Sequence, residues 1–330
     1  MIRITPGMFS DQLLGQLQTL QNQLNRYEVN IASGKRIHVP SDDPAGYRTT
    51  LELHSNQRYT QQLRNTSYDV ITKANANYSA EEDLQTVVSR ASEIVIKANG
   101  TNSATDNEVI ASEINNLLER AISIANRTEG GQFMFGGTCP TPSDTDPGGV
   151  PVGAPAHPFV PFYATRDATS NEITAITFRG NEVQQQVEIE KNSTVASNVL
   201  GQSSSGAARG LFVNTAAVPG GPNNIFQTLI DIRDDLRAGT LDSAASVTTL
   251  RGVEDNVATI LGQTSANLNR FEATVDTHTR SLQSDETTLS QVSDTDLNDA
   301  IVSLTRVQSA LEAALQTGSQ VLNLSLLNYL

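Results

Sequence analysis

The chain has 330 residues, of which 38% are hydrophobic and 5% aromatic, with no Trp. So thin an apolar supply excludes one large globular core and suits long helices with narrow buried seams. A formal charge of −14 excludes nucleic acid and anionic membrane surfaces as partners, and the single Cys139 excludes an internal disulfide or a thiol-built metal cluster. No apolar run is long enough for a cleaved signal peptide or a membrane span, so the chain is read as cytosolic or as exported without a cleaved signal.

In chain order, Thr5-Pro6 reads as a cap and first turn, opening a helix that stops at Ser33-Gly34. Along it Leu13, Leu17, Leu20, Leu24, Tyr27 and Ile31 alternate in steps of four and three, a narrow stripe that is stable only against a partner helix. Asp43-Pro44 starts a second helix, read as continuous to about Ala98 despite a capping-box pattern at Ser79 and Glu82. Thr105 with Glu108 reads as the capping box of a third helix, closed at Glu129-Gly130-Gly131. Between Cys139 and Pro161 the prolines and glycines predict loop. Short β-prone runs follow at Phe162-Tyr163, Ile173 to Phe178 and Val183 to Ile189, with Gly180-Asn181 as a turn between the last two.

Helical patterning returns at Asn224 and stops at Gly239, and a long helix is predicted from about Leu241 to Ser290. Within it Leu261, Leu268, Val275, Leu282 and Leu289 recur every seven residues. Ser293 to Asp296 starts a terminal helix whose stripe is read as Leu297, Ile301, Leu304, Gln308, Leu311, Leu315, Gly318 and Leu322. The two terminal stripes are expected to pair as a coiled coil. Residues 1–40 are net +2 and residues 293–330 net −3, which favours that pairing weakly at exposed sites.

Ser33-Gly34-Lys35-Arg36-Ile37 followed by Ser41-Asp42-Asp43-Pro44-Ala45 resembles the N-terminal signature of flagellin-like proteins. The tail Asn323-Leu324-Ser325-Leu326-Leu327-Asn328-Tyr329-Leu330, with Phe133-Met134-Phe135-Gly136-Gly137, is similar to the branch of that family found at the hook–filament junction. The resemblance implies a mainly α fold, a long helical coiled-coil rod with an inserted small β-rich outer domain. Its implied domains are a terminal coiled coil (1–42 with 293–330), a helical rod (43–137 with 222–292) and the β-rich domain (138–221).

It further implies an axial structural protein of the bacterial flagellum, exported without a cleaved signal peptide and lying outside the cell. The implied partners are copies of itself in a ring, the hook-side hook-associated protein, flagellin and an export chaperone. The expected assembly interface is Leu13, Leu17, Leu20, Leu24, Tyr27, Ile31, Leu297, Ile301, Leu304, Leu311, Leu315, Leu322, Leu326 and Leu327. On this layering, deleting 138–221 is expected to be tolerated better than deleting 323–330.

Chemistry of other kinds finds no foothold. His38, His54, His157 and His278 are scattered and fit no ligand pattern, and His38 is read as a local ion-pair partner of Asp42 and Asp43. Asp144-Thr145-Asp146 and Asp294-Thr295-Asp296 lack the downstream glutamate of a calcium loop and read as turns and caps. No cofactor and no catalytic residue is expected. The competing readings are a filament flagellin and, more distantly, a soluble binding module or enzyme on a helical stalk.

Overall fold

The computed structural model describes residues 6–98, 103–138, 160–204, 208–215 and 223–327, with side chains from residue 11 to residue 320. Cys139, Asp144 to Asp146 and His157 lie outside the described residues. Among the described residues six helices carry the fold: α1 (Pro6–Ser33), α2 (Pro44–Lys97), α3 (Ala104–Ala125), α4 (Ile225–Ala238), α5 (Ser243–Ser293) and α6 (Leu297–Leu327). Nine short strands are described between α3 and α4: β1 (Thr128–Glu129), β2 (Gln132–Phe133), β3 (Phe162–Arg166), β4 (Ile173–Phe178), β5 (Gln186–Glu190), β6 (Ser193–Ala196), β7 (Leu200–Ser203), β8 (Gly210–Asn214) and β9 (Asn223–Asn224). The chain divides into two compact units, residues 1–61 with 280–330 and residues 62–279.

Helix starts follow local cap chemistry. Asp43 Oδ1 accepts from the Gly46 N–H at 2.9 Å and so caps α2, while Asn224 Oδ1 accepts from Phe226 and Gln227 N–H to cap α4. Gly239 ends α4 at φ 69°, where a residue with a Cβ would be strained. The cap of α3 differs from the expected one. It is Ser103 with Asp106, because Arg237 of α4 holds the Glu108 carboxylate at 3.1 and 3.2 Å and keeps it from the backbone.

Among the described residues four small sheets are formed, of orders β1-β2, β3-β4, β5-β6 and β7-β8-β9, with β7 and β8 parallel and the other pairs antiparallel. Gly180-Asn181 is not the turn of a β4–β5 hairpin, since β4 pairs with β3 and β5 with β6. It docks instead on the stretch after β2: the Asn181 N–H donates to Gly136 O at 3.2 Å and the Thr138 N–H donates to Asn181 Oδ1 at 2.8 Å. Gly130 and Gly131, with φ of 58° and 78°, turn β1 into β2 rather than closing α3.

The main core of residues 62–279 is built by helices and strands together. Leu84, Val88, Ile114, Leu118, Leu229 and Val257 from α2 to α5 share one buried cluster with Phe162, Ile173, Leu211 and Phe212 of the strands. Phe162 and Phe212 lie 5.2 Å apart edge-on, and Phe212 stacks on Phe226 of α4 at 5.5 Å. Each such ring pair adds about 0.5–1.5 kcal/mol beyond area burial. The Asn126 side chain that follows α3 both donates to Phe162 O and accepts from its N–H, pinning β3 to the helix end. Phe162, Ile173, Leu211 and Phe212 of β3, β4 and β8 thus lie in the same buried cluster as the helices.

Candidate assembly surface

Helices α1 and α6 pack against each other in the unit formed by residues 1–61 and 280–330. They run antiparallel: Gly34 O accepts from the Thr295 N–H at 3.0 Å at one end, and at the other a Cβ on Gly318 would lie 2.7 Å from Leu13 Cδ2. Twenty-eight residues make α1 about 42 Å long. On α1 the six expected positions, Leu13, Leu17, Leu20, Leu24, Tyr27 and Ile31, are all half-buried, so each keeps an edge in solvent.

On α6 the seam is set differently from the expected stripe. Ala300, Leu304, Val307, Leu311, Ala314 and Gly318 are buried or half-buried in steps of four and three, with Ser303 and Ala310 half-buried beside them. Leu304 and Leu311 belong to it, while Leu297, Ile301 and Leu315 are 49%, 50% and 54% exposed. The cause is size. Ala300, Ala314 and Gly318 let the helices approach closely, and the large side chains are displaced to one flank. At 100° per residue that flank lies roughly 75° around α6 from the seam centre. The side chains of Leu322, Leu326 and Leu327 lie outside the described residues. On α1, Leu14 and Val29 are likewise 58% and 51% exposed, positions that the heptad reading missed because they lie off its stripe.

The loop joining α1 to α2 is tied to the turn joining α5 to α6. Lys35 bridges Asp294 in antiparallel fashion, the Arg36 N–H donates to Ser293 O at 2.6 Å, and the Arg36 guanidinium donates to Val292 O at 2.9 Å. Asp42 Oδ2 accepts from the N–H groups of His38 and Val39, and these bonds hold its carboxyl below the usual carboxylate range. Asp43 is lowered chiefly by the Gly46 N–H, with help from Arg36 at 3.4 Å. The ion partner of Asp42 is Arg26 at 3.0 Å rather than the His38 ring, which lies 3.2 Å from Ser33 Oγ. Among the described residues no group of three His, Cys, Asp or Glu could hold a metal, and no helix is long and apolar enough to cross a membrane.

The helix pair is thus closed at one end by a tied double turn and leaves apolar flanks in solvent. The model of the bacterial flagellin N-terminal helical region matches residues 7–139. The chain is 24% identical to flagellar hook-associated protein 3 of Escherichia coli (strain K12), over 98% of both chains. Its fold is similar to that of flagellar hook-associated protein 3 from Legionella pneumophila (TM-score 0.55, 13% identity, 73% of this chain and 98% of that one). A second structure, the flagellar junction protein FlgL from Legionella pneumophila, matches at TM-score 0.53 and 13% identity, over 74% of this chain and 100% of that one.

The chain is thus similar to structural proteins of the bacterial flagellum. Within that class its similarity is to hook-associated protein 3, along nearly the whole of its length.

Proposed function

We propose that this protein is an axial subunit that joins hook to filament, and that its terminal helices complete their burial only in the assembled structure. The observation that carries the reading is the exposed apolar flank of α6, Leu297, Ile301 and Leu315, beside a seam of small residues. Full burial of one such side chain contributes about 1.5–3 kcal/mol. Sister subunits in a ring supply that burial, with the hook-side hook-associated protein on one face and flagellin on the other. Residues 1–42 with 293–330 form the inner layer, 43–137 with 222–292 the helical layer, and 138–221 the β-rich layer packed on it. The subunit travels to the cell exterior with an export chaperone. Similarity to hook-associated protein 3 over 98% of the chain supports the junction role over that of a filament flagellin.

The test is location and exchange. A deletion strain examined by electron microscopy is expected to carry intact hooks and no filaments, and export of wild-type protein to restore them. Leu20→Asp or Leu311→Asp is expected to abolish that rescue while residues 62–279 stay folded by circular dichroism. Self-assembly of the purified chain into long filaments would decide for a filament flagellin instead.

A further inference from the structure

The buried interior of residues 62–279 is not continuous. A satellite cluster of Val70, Ala74, Ile189, Val195 and Phe271 is separate from the main core, which begins on α2 at Ala80 and ends on α5 at Ile260. The gap is filled by polar groups. Asn77 and Glu81 of α2 are 5% and 0% exposed and Thr264 of α5 is 5% exposed. Beside them lies a cavity of about 330 Å³, whose walls include the amide side chains of Asn77, Gln184, Gln263 and Asn267. Thr264 lines this cavity and donates from Oγ1 to Glu81 Oε1 at 2.8 Å, while Glu81 Oε2 is buried with no hydrogen-bond partner. A carboxylate in that position has one acceptor satisfied and a full charge taken out of water.

We propose that this cavity-bearing polar layer is a pH-sensitive weak seam, at which the β5–β6 hairpin and the parts of α2 and α5 beneath it open independently of the main core when Glu81 ionises. The satellite cluster contains five buried apolar residues, so opening it is the least costly way to bring water to the carboxylate. Polar ties of the hairpin to α5 include His278 Nε2 against Ile189 O at 2.7 Å and Arg270 to Ser193 Oγ at 3.1 Å.

Among the described residues no cation answers the charge from the elements around it. On α2 the ionisable neighbour is Tyr78, whose phenol is raised by Glu82 first and by Glu81 in lesser part. On α5 the facing group is the Thr264 hydroxyl, which does not titrate. On the strand side Arg209 lines the cavity, with its guanidinium 3.4 Å from Asn256 Oδ1.

The sign follows from the desolvated carboxyl. Burial raises it from 4.5 to about 7, so from pH 4.5 upward the open form releases a proton that the closed form keeps. The closed form loses stability across that window, and the loss is complete above about pH 7.

Native-state hydrogen exchange read by mass spectrometry, corrected for intrinsic rates, tests this on the full chain. Between pH 5.5 and 8.0, protection of the 186–196 and 62–76 peptides is expected to fall by at least about tenfold relative to peptides of α3 and α4. Glu81→Gln is expected to remove that pH dependence. Equal protection of satellite and core peptides at both pH values in the wild type overturns the proposal, whether or not the variant folds. Persistence of the pH dependence in Glu81→Gln, or an ordinary carboxyl titration of Glu81 by NMR, overturns it too.

Discussion

Single residues decide where the connectors hold. Gly46 sits where a Cβ would come within 2.6 Å of both Asp43 Oδ2 and Ile37 Cδ1. Gly46→Ala must therefore push away the carboxylate that caps α2, and it is expected to cost roughly 1–2 kcal/mol, read as a lower denaturant midpoint. Asp42 and Asp43 add a pH signature. Both carboxyls are lowered in the folded chain, so their contribution is present above the ordinary value of 3.8 and is lost as pH falls through the lower folded values. Proteolysis in the 34–43 loop is expected to rise as pH drops through that range, and Asp42→Asn is expected to show the raised cleavage at neutral pH already. Signals at this scale are legible in sequence when their chemistry is local. Ser41-Asp42-Asp43-Pro44 reads correctly as a helix start because cap and first turn are four residues apart at most. Ser103 and Thr105 both fit the capping pattern, and the choice rests on an arginine more than a hundred residues away, Arg237, that no local rule contains.

At the scale of elements, α1 was readable and α6 only in part. Large leucines mark the α1 stripe, so spacing alone finds it. The α6 seam runs through Ala300, Ala314 and Gly318, whose weak hydropathy hides them beneath the exposed Leu297, Ile301 and Leu315. The two stripes on α6 separate by mutation. Gly318→Leu places a side chain into Leu13 and is expected to cost the α1–α6 pairing about 1–3 kcal/mol, seen as faster exchange of α6 amides. The triple change Leu297→Ser, Ile301→Ser and Leu315→Ser is expected to leave that exchange within twofold of wild type and to abolish incorporation into flagella. Incorporation at the wild-type level would show that the flank is ordinary surface. The strands were harder still. Ile173 to Phe178 is legible as a β-prone run, whereas β8 is buried along its whole length and carries no alternation.

For the molecule as a whole, the decisive question is whether the strand-bearing segment folds as an accessory or as part of the core. The break in composition at Cys139 suggests an accessory, because sequence shows where chain chemistry changes and not what the changed segment packs against. Phe212 on β8 is fully buried and touches rings from the segment after β2, from β3 and from α4: Phe135 at 5.1 Å, Phe162 at 5.2 Å and Phe226 at 5.5 Å. Removing its ring empties space that four different stretches share, so Phe212→Ala is expected to cost about 3–5 kcal/mol. Leu84→Ala in the helical part of the same cluster is expected to cost about 2–5 kcal/mol. Both losses fall on one unfolding transition if helices and strands share a core. Far-ultraviolet circular dichroism follows the helices, and a β accessory with its own core would leave that signal's midpoint unchanged in Phe212→Ala. An unchanged helical midpoint would make the segment separable. A midpoint lowered as far as in Leu84→Ala means that excising 138–221 unfolds the helices with it, and that loss of assembly in such a deletion reports a lost core rather than a lost contact.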